Sequence, residues 1–209
     1  MGEDIHQRTY LKLKENGKYV NAFEFVDSDS KYGVGAMFVD GRNYEVFSLF
    51  GSRRGSYAEL PYAEYGLPPF LDNGPFQSYC RECGYYGFTW YTAETMLKAV
   101  REYRERLKRP DLYVKFMRER EGDDMDLLLN ETAYDRMLQA FSPGFKTEED
   151  MDFIGEACDE WFQRHSAVME FLRDAENQLS YVAEADGDGG IMSRTFDMGK
   201  TIYLFFFDS

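Results

Sequence analysis

Two histidines occur in the 209 residues, and His6 stands two positions after Asp4 and two before Arg8. On a strand, side chains alternate with period two, so the carboxylate, the imidazole and the guanidinium share one face. Two steps along a strand separate the Asp4 and His6 side chains by about 6–7 Å. That is too far for a direct hydrogen bond and suits convergence on a shared ligand. A second group lies in "GRNY" and "GSRRGS", which supply Arg42, Asn43, Tyr44, Arg53 and Arg54. Guanidinium forks match phosphate and carboxylate geometry, and a neighbouring aromatic ring can stack on a base. The arginine group suggests a site for a small anionic or nucleotide-like ligand. The rival reading makes the first group a solvated strand face and pairs the arginines with local carboxylates.

Other chemistry is thinner. Cys80-x-x-Cys83 falls in a segment that reads as loop, where it suits a thiol pair or half a zinc site. Completing a zinc site would take Cys158 and a histidine, and no spacing asks for that. His165 reads as a partly exposed helix residue. "AEADGDGG" lacks the closing glutamate of a calcium loop. The acidic runs "EGDDMD" and "TEEDMD" are interrupted by apolar residues at helical spacing, which favours solvated helix faces over mimicry of a nucleic-acid backbone. No GxSxG, HExxH, phosphate-binding loop or dinucleotide fingerprint is present. No metal and no cofactor are called for.

These side chains need elements to hold them. Residues 4–14 alternate, Asn16-Gly17 is a hairpin turn signal, and "YVNAFEFV" reads as the returning strand. Residues 43–51 read as a short helix capped by Asn43. From 52 to 88 glycine, proline and aromatics suggest a long ordered loop. Thr92 opens a helix that Pro110 ends, and residues 111–145 read as an inserted helical subdomain within a single domain spanning 1–209. Thr147 starts a long helix to about 183. "TIYLFFFDS" is a run of β formers, apolar enough for a central strand, and its neighbour is the N-terminal hairpin. The expectation is an α+β fold: an antiparallel sheet of hairpin and C-terminal strand, packed against several helices including one long one.

Composition narrows the partners. Hydrophobic residues make up 44% of the chain, including 18 Phe and 16 Tyr, enough to bury a sizeable core. The net charge of −14 disfavours duplex nucleic acid, whose phosphates want Lys and Arg. No run approaches the roughly 20 apolar residues of a membrane helix. Three cysteines are too few for a disulfide framework, and "MGEDIHQRTYLK" has no basic start or apolar core, so a reducing cytoplasm is expected.

Four stretches carry a resemblance. "MGEDIH" resembles the "MGCDIH" opening of a group of uncharacterised, largely phage-encoded proteins. "DGRNYEVFSLFGSRRG" is similar to their "RNYxLFxxLAxVR" segment, "YGLPPF" to their "RGLP" element with Tyr65 in place of arginine, and "IYLFFFDS" to their C-terminal "FWFDN". The matches cover about a fifth of the chain and keep their order. The corresponding positions are Gly2, Asp4, Ile5, His6, Arg42, Asn43, Tyr44, Phe47, Arg53 or Arg54, Gly66, Leu67, Pro68, Phe206 and Asp208. The family's histidine–serine stretch before a helix start has no counterpart in "YYGFTWYTAETML", so the resemblance brings no metal hydrolysis with it.

The resemblance implies a phage accessory protein in the host bacterial cytoplasm, with a counter-defence role. Joined to the arginine and strand groups, it suggests a protein that binds a small anionic or nucleotide-derived ligand, or docks on a host defence protein. Asp4, His6, Arg8, Arg42, Asn43, Tyr44, Arg53, Arg54 and Asp208 are the expected ligand-binding residues. One alternative is an acidic inhibitor covering a nucleic-acid-binding surface of a host defence complex. Another is a hydrolase acting on a phosphoester or glycosidic bond. A homo-oligomer is compatible with each.

Overall fold

A computed structural model describes residues 4–22, 43–51, 57–72, 74–108, 165–183 and 191–208. The chain divides into two compact units, residues 1–101 with 171–209 and residues 102–170. The sheet lies in the first. Its strands are β1 (Asp4–Leu13), β2 (Tyr19–Asn21), β3 (Glu64–Tyr65), β4 (Tyr86–Thr92) and β5 (Phe196–Asp208), in spatial order β2-β1-β5-β4-β3 and antiparallel throughout. The helices are α1 (Tyr44–Ser48), α2 (Pro75–Cys83), α3 (Ala93–Leu107), α4 (Ser166–Ala183) and α5 (Ile191–Thr195), with a 3-10 turn at Pro69–Leu71. The fold is α+β, as the sequence suggests.

The pairing of the two ends of the chain follows from their composition. β5 is buried along nearly its whole length, so it needs neighbours on both edges and layers on both faces. β1 covers one edge, with Asp4 opposite Asp208 and His6 opposite Phe206, and β4 covers the other. Asn16-Gly17 makes the β1–β2 turn, with Gly17 at φ +70 and the Asn16 side chain accepting from the Lys18 N–H. On one face Tyr10, Ile202, Leu204 and Phe206 form a buried cluster, packed against Leu67, Leu71, Phe76, Phe88 and Trp90. On the opposite face Phe50 stacks on Phe205 at 4.0 Å and Phe47 packs on Phe207, which seats α1 there. Phe171 of α4 meets Phe50 edge-on, and Arg101 of α3 donates to Glu176 and Ser180 of α4. In the second unit, the described ends of α3 and α4 bury Tyr103, Leu107, His165 and Val168.

Several expectations are corrected. Residues 52–88 are not one long loop: β3, the 3-10 turn, α2 and the start of β4 lie within them. Pro75 opens α2 at a position where its missing N–H costs nothing, and Gly84 closes it in the left-handed conformation at φ 72. The same prolines and glycines read as loop punctuation when taken alone. β4 is a strand where the sequence reads as loop and helix start, and β5 begins at Phe196, not at Thr201. Cys80 and Cys83 stand on α2 rather than in a loop, and His165 is buried rather than partly exposed. Arg42, Arg53, Arg54, Cys158, residues 111–145, the first part of the long helix and both acidic runs lie outside the described residues. Among the described residues no helix is long and apolar enough to cross a membrane.

Candidate functional site

The antiparallel register of β1 and β5 fixes the site. Asp4, His6, Arg8 and Tyr10 lie on the same face as Ile202, Leu204, Phe206 and Asp208, because each is a cross-strand partner of one of them. Asp208 answers the spacing problem posed by Asp4 and His6. Its Oδ2 lies 3.0 Å from His6 Nε2, and its Oδ1 accepts the Asp4 backbone N–H at 3.1 Å. A carboxylate only accepts, so Nε2 donates in the first bond, and in the neutral imidazole the other ring nitrogen, Nδ1, carries the lone pair. The side chains of His6 and Asp208 are 35% and 34% exposed, so solvent reaches both.

Aromatic rings hold the imidazole in place. Phe206 lies beneath it, with centroids 5.2 Å apart and planes 17° from parallel, and Tyr85 flanks it at 5.0 Å. Phe206 in turn meets Phe76, Tyr85 and Phe88. Tyr79 packs edge-on against Tyr85 at 5.9 Å. It lies beside the Tyr85 hydroxyl and the Cys83 thiol, and hydrogen bonding to Tyr85, then to Cys83, pushes its phenol up to about 12. Cys80, the inner thiol of the pair, is raised by burial, with Arg8 opposing. A buried thiol kept protonated at the C-terminal end of a helix is not primed as a nucleophile.

Arg8 is on the right face, but its guanidinium is already used. It lies 4.2 Å over the Phe76 ring and hydrogen-bonds the Tyr10 phenol, whose pKa burial raises in spite of it. Asn43 and Tyr44 belong to α1, on the opposite face of the sheet. The Asn43 side chain accepts the Glu45 and Val46 N–H groups as the helix cap, and Tyr44 packs edge-on against Phe47. Among the described residues the structure therefore brings Asp4, His6 and Asp208 together, keeps Arg8 one pair further along, and leaves Asn43 and Tyr44 apart from them. No group of three or more His, Cys, Asp or Glu among these residues could hold a metal ion.

Sequence reading missed Tyr79 and Tyr85. The signal for Tyr85 is the spacing in "CGYYGF", where two glycines bracket two tyrosines. Gly84 ends α2, with the Tyr85 N–H bonded to the Cys80 carbonyl and the Gly84 N–H to that of Arg81, so Tyr85 leaves the helix at a fixed angle. No protein-family model, curated protein or solved structure matches the chain.

Proposed function

We propose that the protein is a binding protein that takes a small nucleotide-like ligand at the His6–Asp208 end of the sheet. The observation that carries this reading is the His6 imidazole itself. It is oriented by a carboxylate, backed by Phe206, flanked by Tyr85 and one-third exposed. Aromatic platforms of this kind stack planar rings, and an oriented ring nitrogen selects by hydrogen bond. The resemblance of "MGEDIH" and "IYLFFFDS" to phage-encoded proteins supports an accessory, counter-defence role in the host cytoplasm. The test is calorimetry of the wild-type chain and His6→Ala against nucleotides, cyclic dinucleotides and ADP-ribose derivatives. Binding that weakens at least about tenfold in His6→Ala is expected, the size of one lost stacking or hydrogen-bond contact. Absence of heat with every compound would reject the ligand in favour of docking on a host protein.

The same imidazole favours a second reading, hydrolysis of a phosphoester or glycosidic bond. A histidine oriented by a carboxylate, with its second nitrogen on the outer side of that bond, is the arrangement that general acid–base catalysis uses. Turnover of a model phosphodiester or glycoside by the wild type, unchanged in His6→Ala, would end that reading.

A further inference from the structure

β4 changes the face its side chains address. Thr89 is the cross-strand partner of Phe205, and Tyr86 the partner of Phe207. Three steps along β4 thus match two along β5, so one extra residue is inserted between them. Gly87 supplies it, at φ +64, where a Cβ would come within 2.9 Å of the Phe207 ring. Without this bulge Tyr86 would follow Phe88 and Trp90 onto the face of His6, and Tyr85 would turn away. With it, Tyr86 packs on Phe207 on the opposite face, while Tyr85 meets both His6 and Phe206. The αL turn at Gly84 and the bulge at Gly87 act on the two sides of "YY" and send the two rings to different faces.

Among the described residues of β1 and β5 beside the ring pair, the charged groups are two carboxylates and one cation. Asp4 and Asp208 face each other across the strands, and the nearest cation of β1, Arg8, is drawn onto Phe76 and Tyr10. A phosphate placed here would meet carboxylates, whereas an uncharged ring would meet a one-third exposed imidazole and a tyrosine edge, with Tyr79 beyond, 46% exposed. In its neutral form His6 adds Nδ1 as a hydrogen-bond acceptor beside the stack.

We infer that the Gly87 bulge builds a ring-stacking subsite from Tyr85 and His6, and that this subsite takes the uncharged heteroaromatic base of the ligand and not its phosphate. The inference rests on the binding reading above and specifies which part of the ligand the described site holds. Gly87 is a positioning residue, and Tyr85 makes the contact.

The experiment is calorimetry with adenosine, cytidine, their 5′-monophosphates and ribose 5-phosphate, on the wild type, Tyr85→Ala and Tyr85→Phe. At least one nucleoside is expected to bind within about threefold of its monophosphate, with no heat from ribose 5-phosphate. Tyr85→Ala is expected to weaken that nucleoside about ten- to hundredfold, the size of one lost stacked ring, and Tyr85→Phe by less than about threefold. Circular dichroism confirms that each variant is folded. Ribose 5-phosphate binding as tightly as a nucleotide, or a folded Tyr85→Ala binding the nucleoside as well as wild type, would overturn the base subsite and leave ligand binding standing. No heat from the whole set, including the monophosphates, would overturn the subsite together with the nucleotide reading.

Discussion

Phe206→Ala tests whether the aromatic floor under His6 is a load on stability or only a lining. Phe206 is 2% exposed, and its ring meets those of His6, Phe76, Tyr85 and Phe88. Removing a fully buried phenylalanine ring costs about 3–5 kcal/mol, as lost transfer energy plus the cavity left behind. The upper half of that range is expected, because aromatic pairs add about 0.5–1.5 kcal/mol beyond buried area and four rings surround this one. His6 and Phe88 sit on strands, Phe76 on α2 and Tyr85 in the short link between α2 and β4, where its N–H is bonded to the Cys80 carbonyl, which restricts collapse into the hole. For a chain of this length each kcal/mol lowers Tm by about 2–4 °C, so a fall of roughly 8–20 °C is expected. Urea unfolding followed by far-UV circular dichroism gives the free energy, and a thermal scan gives the shift. Phe206→Leu, which keeps apolar volume, should lose under about 2 kcal/mol. A Phe206→Ala loss below about 1.5 kcal/mol, half the low end of the range for such cavities, would refute the reasoning, since the floor would then be loosely packed and His6 not held by it.

The other predictions follow from single contacts. Gly87→Ala combines a left-handed backbone, about 1–2 kcal/mol, with a Cβ 2.9 Å from Phe207, about 1–3 kcal/mol of overpacking. Gly66→Ala has φ +84 with nothing within 4 Å, so only the backbone cost applies; equal losses in the two variants by urea titration would remove the Phe207 contact from the account. Asn43→Ala should cost about 0.5–2 kcal/mol through the α1 cap while leaving any ligand affinity unchanged, which separates capping from binding. Burial raises the phenols of Tyr203, Tyr10 and Tyr19, so the folded chain favours the neutral form. That contribution is full below the ordinary phenol value of about 10 and is lost as pH rises through the higher folded values. Stability measured by urea titration should therefore fall from about pH 10 upward, and less steeply in Tyr203→Phe; identical slopes would show that Tyr203 does not resist ionisation.

What was legible in the sequence was whatever a simple period carries. Period two in residues 4–14 puts Asp4, His6 and Arg8 on one face, and nine consecutive residues of mostly β-forming character mark β5 as central. Adjacency of these strands then makes Asp208 a neighbour of His6 on sequence grounds, since an antiparallel pair of end strands aligns the start of one with the finish of the other. Thr92 and Asn43 were legible as helix starts because local hydrogen bonds fix them: Thr92 and Thr95 bond each other's backbone N–H, and Asn43 caps α1.

The failures have a different physics. Asn43 and Tyr44 suit a ligand by residue type, yet which face α1 covers depends on Phe47 and Phe50 finding Phe207 and Phe205 across most of the chain. Residue type says nothing about that choice. β4 failed because its period is broken on purpose. Counting by twos from Trp90 assigns Tyr86 to the His6 face and Tyr85 to the other, and the bulge at Gly87 reverses both. A one-residue shift in register moves a whole set of side chains between faces. The glycines of "CGYYGF" announce a break without saying which way the tyrosines turn, because a left-handed residue can serve a turn, a cap or a bulge. Only the partner strand settles it. Tyr86 opposite Phe207 and Thr89 opposite Phe205 leave one residue over, and that residue decides which of two identical side chains stands next to the imidazole.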